Sequence, residues 1–250
     1  MIGSLVKTSA RAFGVDIVKF PQSAPLAAHL KEFFRHNKIE LVLDVGACDG
    51  GFCRLLRNEV RYSGSIVSFE PCSKSFETLS HRMKSDNSWK GYQIGLSDSN
   101  SDSILNTYGA RPDFNSVLQL RERDAQLYDV DLSTRGAESI ALRCLDTLWD
   151  EFIDDAHTSR VFLKTDTQGH DAAVVRGARD HLKNILGIQS EIPTIEIYDG
   201  MPSMPECLKL YSSLGYIPIG FYPVNRPVSY NGASPEFDVL FQQKALHRPT

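Results

Sequence analysis

A glycine-rich turn between an apolar segment and an amphipathic segment carries the first residues that could do chemistry in this chain of 250 residues. Asp44 ends the apolar segment, and Gly46 and Gly50 follow it, four residues apart. Glycine lets a backbone adopt positive φ and approach a ligand closely, and the start of a helix favours a carboxylate group. The turn therefore predicts a ligand-binding loop between a strand and a helix.

Two nucleotide-binding motifs resemble this turn and fit it less well. A P-loop requires a lysine and a hydroxyl residue after its last glycine, but Phe52 and Cys53 follow Gly51 here, which argues against a triphosphate site. The dinucleotide fingerprint requires a glycine where this chain has Cys48. An NAD-dependent oxidoreductase consequently remains as an alternative function.

Glu70 ends the next apolar segment and narrows the choice of ligand. An ionised carboxylate only accepts hydrogen bonds, so this residue can hold two ribose hydroxyl groups. A ligand with a ribose, a terminal carboxylate and no phosphate matches the turn and the glutamate together. S-adenosylmethionine has this combination, and the residues predict it as the cofactor.

Apolar strands alternate with amphipathic helices along the chain, which predicts a doubly wound, mostly parallel sheet. We expect seven strands, over residues 41–45, 65–69, 92–96, 160–164, 187–191, 216–221 and 237–242. The last two have no helix between them and predict a hairpin that contributes one antiparallel strand. Pro218 places the first strand of that hairpin near an edge of the sheet. A long crossover helix is expected over residues 171–186, and ligands should bind at the carboxyl ends of the parallel strands.

The same pattern predicts one α/β domain over residues 41–250, preceded by a helical extension over residues 1–40. Residues 97–139 are rich in Ser, Asp, Asn and Arg and are longer than an ordinary connection. We interpret this stretch as a lid or a substrate-facing insertion.

Composition excludes several classes of protein. The chain is 42% hydrophobic, which argues against disorder, and its net charge is −4 from 27 basic and 31 acidic residues. That balance argues against nucleic acid as a partner. No apolar run approaches the roughly 18 residues of a membrane span. Five cysteines without a CxxC pair are typical of reduced thiols, so a cytoplasmic location is expected.

Several motifs together resemble the FkbM-type methyltransferases, and the resemblance extends over residues 41–242. The most specific of them is the block from Lys164 to Gly169, which is followed by a strand bearing a glutamate. The complete set is Leu43-Asp-Val-Gly-Ala47 with Gly50, Phe69-Glu-Pro71, Gly95-Leu-Ser-Asp98, Asn115-Ser116, Leu145-Asp-Thr-Leu148, Leu163-Lys-Thr-Asp-Thr-Gln-Gly169, Gln189-Ser-Glu191 and Phe237-Asp238.

The resemblance implies a Rossmann-like class I methyltransferase that uses S-adenosylmethionine to methylate a hydroxyl group, often of a sugar in a glycan or a glycosylated natural product. It places Glu70 at the ribose and Asp166 opposite the sulfonium and the acceptor. The remaining cofactor-binding residues that it implies are Asp44, Gly46, Ala47, Asp49 and Gly50 around the methionine part, and Gly95 and Leu96 at the adenine.

Methylation of a sugar hydroxyl calls for a general base, since the hydroxyl is a poor nucleophile near neutral pH. We expect Asp166, His170 and Glu191 to be the catalytic residues. A divalent cation held by Asp166, Glu191 and Asp238 is an alternative use of these carboxylates, which the sequence does not support by itself. Gln168 stands where many relatives have glutamate, and Asp49 where many have asparagine. These departures keep open a third alternative, a catalytically inactive methyltransferase-like binding domain.

Overall fold

A computed structural model describes residues 26–152, 160–224 and 234–246 of the chain. Most of the predicted N-terminal extension, up to residue 25, lies outside these ranges. The described strands are β1 Leu41–Val45, β2 Ser65–Phe69, β3 Trp89–Tyr92, β4 Gly95–Ser97, β5 Ser101–Tyr108, β6 Arg135–Cys144, β7 Val161–Thr165, β8 Ile185–Pro193, β9 Tyr216–Val224 and β10 Glu236–Gln243.

The helices of the described ranges connect these strands and cover both faces of the main sheet. They are α1 Leu26–Asn37, α2 Gly51–Leu55, α3 Ser73–Met83, α4 Glu122–Leu127, α5 Leu145–Phe152, α6 Asp171–Arg176 and α7 Met204–Ser213. A π-helical turn, Leu56–Val60, continues α2. A capping box of Ser203 and Glu206 fixes the start of α7.

The main sheet has seven strands in the order β3-β2-β1-β7-β8-β10-β9. Neighbouring strands are parallel from β3 to β8, whereas β10 is antiparallel to both β8 and β9. The prediction of a mostly parallel, seven-stranded sheet with one antiparallel strand in a C-terminal hairpin is confirmed. β9 forms an edge of the sheet, in agreement with the position of Pro218.

Both faces of the central strands β1, β2 and β7 are buried, which explains why these strands are almost continuously apolar. On one face, α1 packs through Phe33 and Phe34 against Phe162 of β7, and all three rings are buried. The other face buries Leu43 and Leu163 with residues of α5, α6 and α7. The strand ends that carry the polar residues are therefore held in a rigid framework.

The predicted strand over residues 92–96 is wrong as a single element. The chain bends after Tyr92, so that β3 stays in the main sheet while β4 joins a second sheet of three strands, in the order β4-β6-β5. Gly95 pairs with Leu142 there. Apolar periodicity cannot show that two halves of a short run belong to different sheets.

The predicted helix over residues 171–186 is also wrong in length. It ends at Arg176, a 3-10 turn follows over Arg179–Asn184, and β8 begins at Ile185. Gly177 marks the break, because a Cβ at this position would lie 2.0 Å from the carbonyl oxygen of Ser97. The two backbones approach so closely that the chain leaves the helix at this glycine.

Residues 97–139, interpreted above as an insertion, contain β5, α4 and the first part of β6. Their apolar side chains form a small core of their own with Ile197 and Tyr198 of the segment after β8. No helix in the described part of the chain is long and apolar enough to cross a membrane.

Candidate active site

A buried ion-pair network joins β1 to the end of β7 beneath the glycine turn. Lys164 Nζ lies 3.4 Å from Asp44 Oδ1 and 3.2 Å from Asp166 Oδ2, and it donates a hydrogen bond to the Gly46 carbonyl. Burial raises the pKa of Asp44, and the Lys164 ammonium opposes that rise. Burial alone would lower the pKa of Lys164, but Asp166 and Asp44 hold it above its ordinary value. The network fixes both strand ends relative to each other.

Gly46 occupies the point where three strand ends converge. Its φ is +74°, and a Cβ added to it would lie only 1.9 Å from the Asp166 carbonyl oxygen. Its amide donates to the Phe69 carbonyl, and the Asp166 amide donates to the Val45 carbonyl. The close approach of these backbones explains why the turn needs glycine at this position.

Glu70 is buried at the end of β2, where its two oxygens accept backbone hydrogen bonds. Oε2 accepts from the Cys48 amide at 2.7 Å and Oε1 from the Cys72 amide at 2.8 Å. Burial raises the pKa of Glu70 to about 7, although both amides favour the ionised form. The glutamate therefore ties the glycine turn to the start of α3 and titrates near neutral pH.

The carboxyl ends of β1, β2, β7 and β8 line a cavity of about 260 Å³. It brings together many of the predicted site residues, namely Gly46, Glu70, Gly95, Leu96, Asp166, His170 and Glu191. Other predicted residues do not line it, namely Asp44, Ala47, Asp49, Gly50 and Asp238.

The residues outside the cavity have identifiable structural contacts. Asp44 belongs to the ion-pair network, Ala47 is buried in the core, and a Cβ at Gly50 would meet the ring of Trp89. Asp49 is partly exposed and pairs with two arginines of α2 and α3. These contacts hold the backbone of the glycine turn in place.

Gln168 connects the two carboxylates at the polar end of the cavity. Its Nε2 donates to Asp166 Oδ1 at 3.0 Å and to Glu191 Oε2 at 2.9 Å, while its Oε1 accepts from the hydroxyl of Tyr198 at 3.0 Å. A neutral amide thus holds two acidic side chains side by side. Tyr198 was missed by sequence reasoning, because it lies in an irregular segment without a motif.

The acidic side chains around this end influence one another. Burial raises the pKa of Glu191 well above its ordinary value, and the nearby carboxylates of Glu236 and Asp166 raise it further. Asp238 lies opposite Glu191 in the β8–β10 pairing, and burial raises its pKa to about 6. These groups remain protonated to a higher pH than exposed carboxylates do.

The three predicted metal ligands lie near one another, and each has other hydrogen-bond or ion-pair partners. Glu191 and Asp166 are bridged by the Gln168 amide, whereas Asp238 accepts a hydrogen bond from Gln189 and lies outside the cavity. No group of three or more His, Cys, Asp or Glu residues in the described ranges is arranged to hold a metal ion.

His170 lines the same cavity but is partly engaged elsewhere. Its Nε2 lies 2.9 Å from the Ser97 hydroxyl, and burial lowers its pKa. The lower pKa favours the neutral imidazole near neutral pH.

Comparison with known proteins identifies a family. The model of the methyltransferase FkbM domain matches residues 44–218, which is more than half of the chain. No curated protein matches the sequence.

Solved structures of several methyltransferases are similar to this chain at low identity. A methyltransferase FkbM from Methylobacillus flagellatus is 16% identical over 82% of this chain, with a TM-score of 0.49. The alignment spans only 43% of the length of that protein. Aeropyrum pernix fibrillarin, which was solved in complex with S-adenosyl-L-methionine, is 12% identical, with a TM-score of 0.48. The alignment covers 86% of this chain and 72% of the fibrillarin chain. An rRNA methylase from Streptococcus thermophilus is 10% identical over 91% of this chain and 98% of its own, with a TM-score of 0.45.

Replacement of Gly46 by alanine tests the close approach in the turn. The variant Gly46→Ala combines a positive φ with a backbone clash, whereas Gly200→Ala has a φ of +79° and no atom within 4 Å of the new Cβ. We expect Gly200→Ala to lower the free energy of unfolding by about 1–2 kcal/mol, and Gly46→Ala to lower it clearly more or to prevent folding. Urea denaturation measures both, and equal losses would contradict the role of the close approach.

Replacement of Lys164 by methionine tests the ion-pair network. Lys164→Met leaves Asp44 buried without its cation, so we expect a loss of about 3–5 kcal/mol in the free energy of unfolding. The loss should be smaller at pH 5 than at pH 8, because an unpaired buried Asp44 keeps its proton to higher pH in the folded state and is penalised as the pH rises.

The matched control is Lys90→Met on the exposed face of β3, for which a change within about 0.5 kcal/mol is expected. An exposed ion pair contributes at most about 1 kcal/mol, so a smaller loss of unfolding free energy in Lys164→Met would contradict the network. A loss that does not change with pH would contradict it as well.

Proposed function

Because this chain belongs to the FkbM family of methyltransferases, we propose that it transfers a methyl group from S-adenosylmethionine to a hydroxyl oxygen of a neutral acceptor, most simply a sugar of a glycan or a glycosylated natural product. The observation that carries the proposal is the placement of Glu70 and the glycine turn in the same cavity as Asp166, Gln168 and Glu191.

The residues of the cavity fit this cofactor. Gly46 lets the turn pass close to the Asp166 backbone and line the cavity, and Glu70 presents a carboxylate suited to ribose hydroxyls. Gly95 and Leu96 offer an apolar surface next to Glu70 for the adenine. Asp44, Ala47, Asp49 and Gly50 contribute by holding the turn in shape rather than by contact.

When bound, S-adenosylmethionine supplies an electrophilic methyl group: the acceptor oxygen forms the new C–O bond, the C–S bond breaks with its electron pair on sulfur, and the hydroxyl proton leaves to a base. The chain must align the acceptor and accept that proton. We assign the alignment to Asp166, whose oxygens are already engaged by Lys164 and Gln168.

Glu191 is our candidate for the general base. It lines the cavity beside Asp166, and once ionised its carboxylate is a stronger base than an exposed one, because burial raises its pKa. His170 is the second candidate, with a ring nitrogen that also contacts Ser97.

The charge of the cavity supports a neutral acceptor. Carboxylates of Asp166 and Glu191 line it, Asp113 is paired with Arg111, and the nearby ammonium of Lys164 is already paired with two carboxylates. An acceptor rich in phosphate would meet repulsion at this surface. We therefore propose a neutral hydroxyl compound as the acceptor and not a nucleic acid. The alternative function, a catalytically inactive binding domain, predicts no turnover with any acceptor.

The ionisation of Glu70 should control the affinity for the cofactor product. Ribose hydroxyls donate to the carboxylate, so S-adenosylhomocysteine should bind the ionised form, and its affinity should fall as the pH decreases below about 7. Glu70→Gln should bind more weakly at pH 8 and lose this pH dependence. Isothermal titration calorimetry between pH 5.5 and 8.5 measures both properties. A wild-type affinity that is constant over this range would contradict the role of Glu70.

Turnover provides the test of the reaction. Incubation of the chain with S-adenosylmethionine and neutral glycosides, uronic acids or short RNA should release S-adenosylhomocysteine with a neutral glycoside. Glu191→Gln should lower kcat by about 10²–10⁴-fold, as expected for loss of a general base, while the affinity for S-adenosylhomocysteine changes little. Turnover with RNA alone would overturn the proposed acceptor class, and an unchanged kcat would overturn the role of Glu191.

A further inference from the structure

The cavity has two chemically different ends. Its polar end is formed by the carboxylates of Asp166 and Glu191, the amide of Gln168 and the imidazole of His170. Its other end is apolar, and residues of the second sheet and its connections supply much of that surface, with Leu105 from β5, Ile140 and Leu142 from β6, and Val117 between these strands. None of these four residues was predicted as part of a site from the sequence.

The side chains that form the apolar end are buried and packed against one another, and we refer to them as the apolar wall. Leu105, Ile140 and Leu142 are only 4–6% exposed and form a cluster with Cys72 and Val117. Leu142 packs so closely on Gly95 that a Cβ there would lie 2.6 Å from Leu142 Cδ2. Gly95 of β4 is the pairing partner of Leu142 in β6, and its added Cβ would also lie 3.7 Å from the Cβ of Pro71, the residue after Glu70.

Hydrogen bonds hold this wall on two sides of the cavity. Glu138 of β6 accepts from the Ser73 amide, with its two oxygens at 3.0 and 3.3 Å, beside the Cys72 amide that donates to Glu70. On the other side, the Ser116 hydroxyl donates to the Gln168 carbonyl at 2.7 Å. The strand that carries Ile140 is thus fixed relative to the glutamate that we assign to the ribose.

We propose that residues 101–144 complete the cofactor site, and that Leu105, Ile140 and Leu142 form the wall against which the adenine ring packs. This inference rests on the proposed function and assigns the insertion to the cofactor as well as to the acceptor. A purine joined to a ribose at Glu70 lies one glycosidic bond away. Pro71 follows Glu70 in the chain, and Gly95 lies against Pro71, Ile140 and Leu142, so that these residues connect Glu70 with the apolar wall. Burying an aromatic ring against aliphatic side chains is favourable in proportion to the apolar area removed from water.

The experiment compares two isoleucines of the same sheet. Ile140 is buried and lines the cavity, whereas Ile104 on β5 is 53% exposed. Isothermal titration calorimetry at pH 8 gives the Kd of each variant for S-adenosylhomocysteine and for 5′-methylthioadenosine, which retains the adenosine and lacks the amino acid. We expect Ile140→Ala to weaken both ligands to the same extent, by about tenfold, and Ile104→Ala to leave both within twofold.

Each outcome separates this inference from the proposed function. If Ile140→Ala binds both ligands as tightly as the wild type does, the adenine wall alone is overturned. The same holds if the substitution weakens only the binding of S-adenosylhomocysteine. A wild-type chain that binds neither ligand would overturn the proposed function and the inference with it.

A second measurement avoids any variant that does not fold. Photolysis of the wild-type chain with an 8-azidoadenine analogue of the cofactor should label peptides within residues 101–144, and excess S-adenosylhomocysteine should prevent the labelling. Protectable labelling confined to other segments would overturn the inference.

Discussion

The contact of Lys164 with Asp44 and Asp166 is the interaction on which the site depends. A lysine ammonium is stable in the interior only if carboxylates compensate for its lost hydration, and here one comes from β1 and the other from the end of β7. The same ammonium also binds the carbonyl of Gly46. Charge compensation, strand alignment and the shape of the glycine turn are therefore one physical arrangement, and a change at any of its members is felt by all of them.

Gln168 joins Asp166 and Glu191 through a neutral side chain. A carboxylate at this position would stand next to Asp166 and Glu191, and one of the three would have to be protonated to relieve the repulsion. The amide instead donates to both, so the two carboxylates remain close together. Although the sequence placed Gln168 among the departures from the family pattern, its contacts give it a positioning role between the two residues assigned to the acceptor.

Much of the fold was predictable, because the central parallel strands are buried on both faces and end at a polar residue or a glycine. β1 and β2 have this pattern, and the residues at their ends mark the cavity. The errors have local causes: the bend after Tyr92 separates β3 from β4, and the approach of Gly177 to Ser97 shortens α6. The apolar wall escaped notice because Leu105, Ile140 and Leu142 lie among exposed and half-buried neighbours, as in any half-buried sheet. Only the pairing of distant segments shows that they face a cavity.

The edge strand β9 has a consequence for the behaviour of the chain in concentrated solution. An unpaired strand edge offers amide groups to which another chain can add, and this is a common route to aggregation. β9 contains Pro218 and Pro223, which have no amide hydrogen, and the strand pairing shifts in register between Leu240 and Phe241 opposite the first of them. Two missing donors and an interrupted register make the β9 edge, which pairs with no further strand among the described residues, a poor template for the strand of another chain.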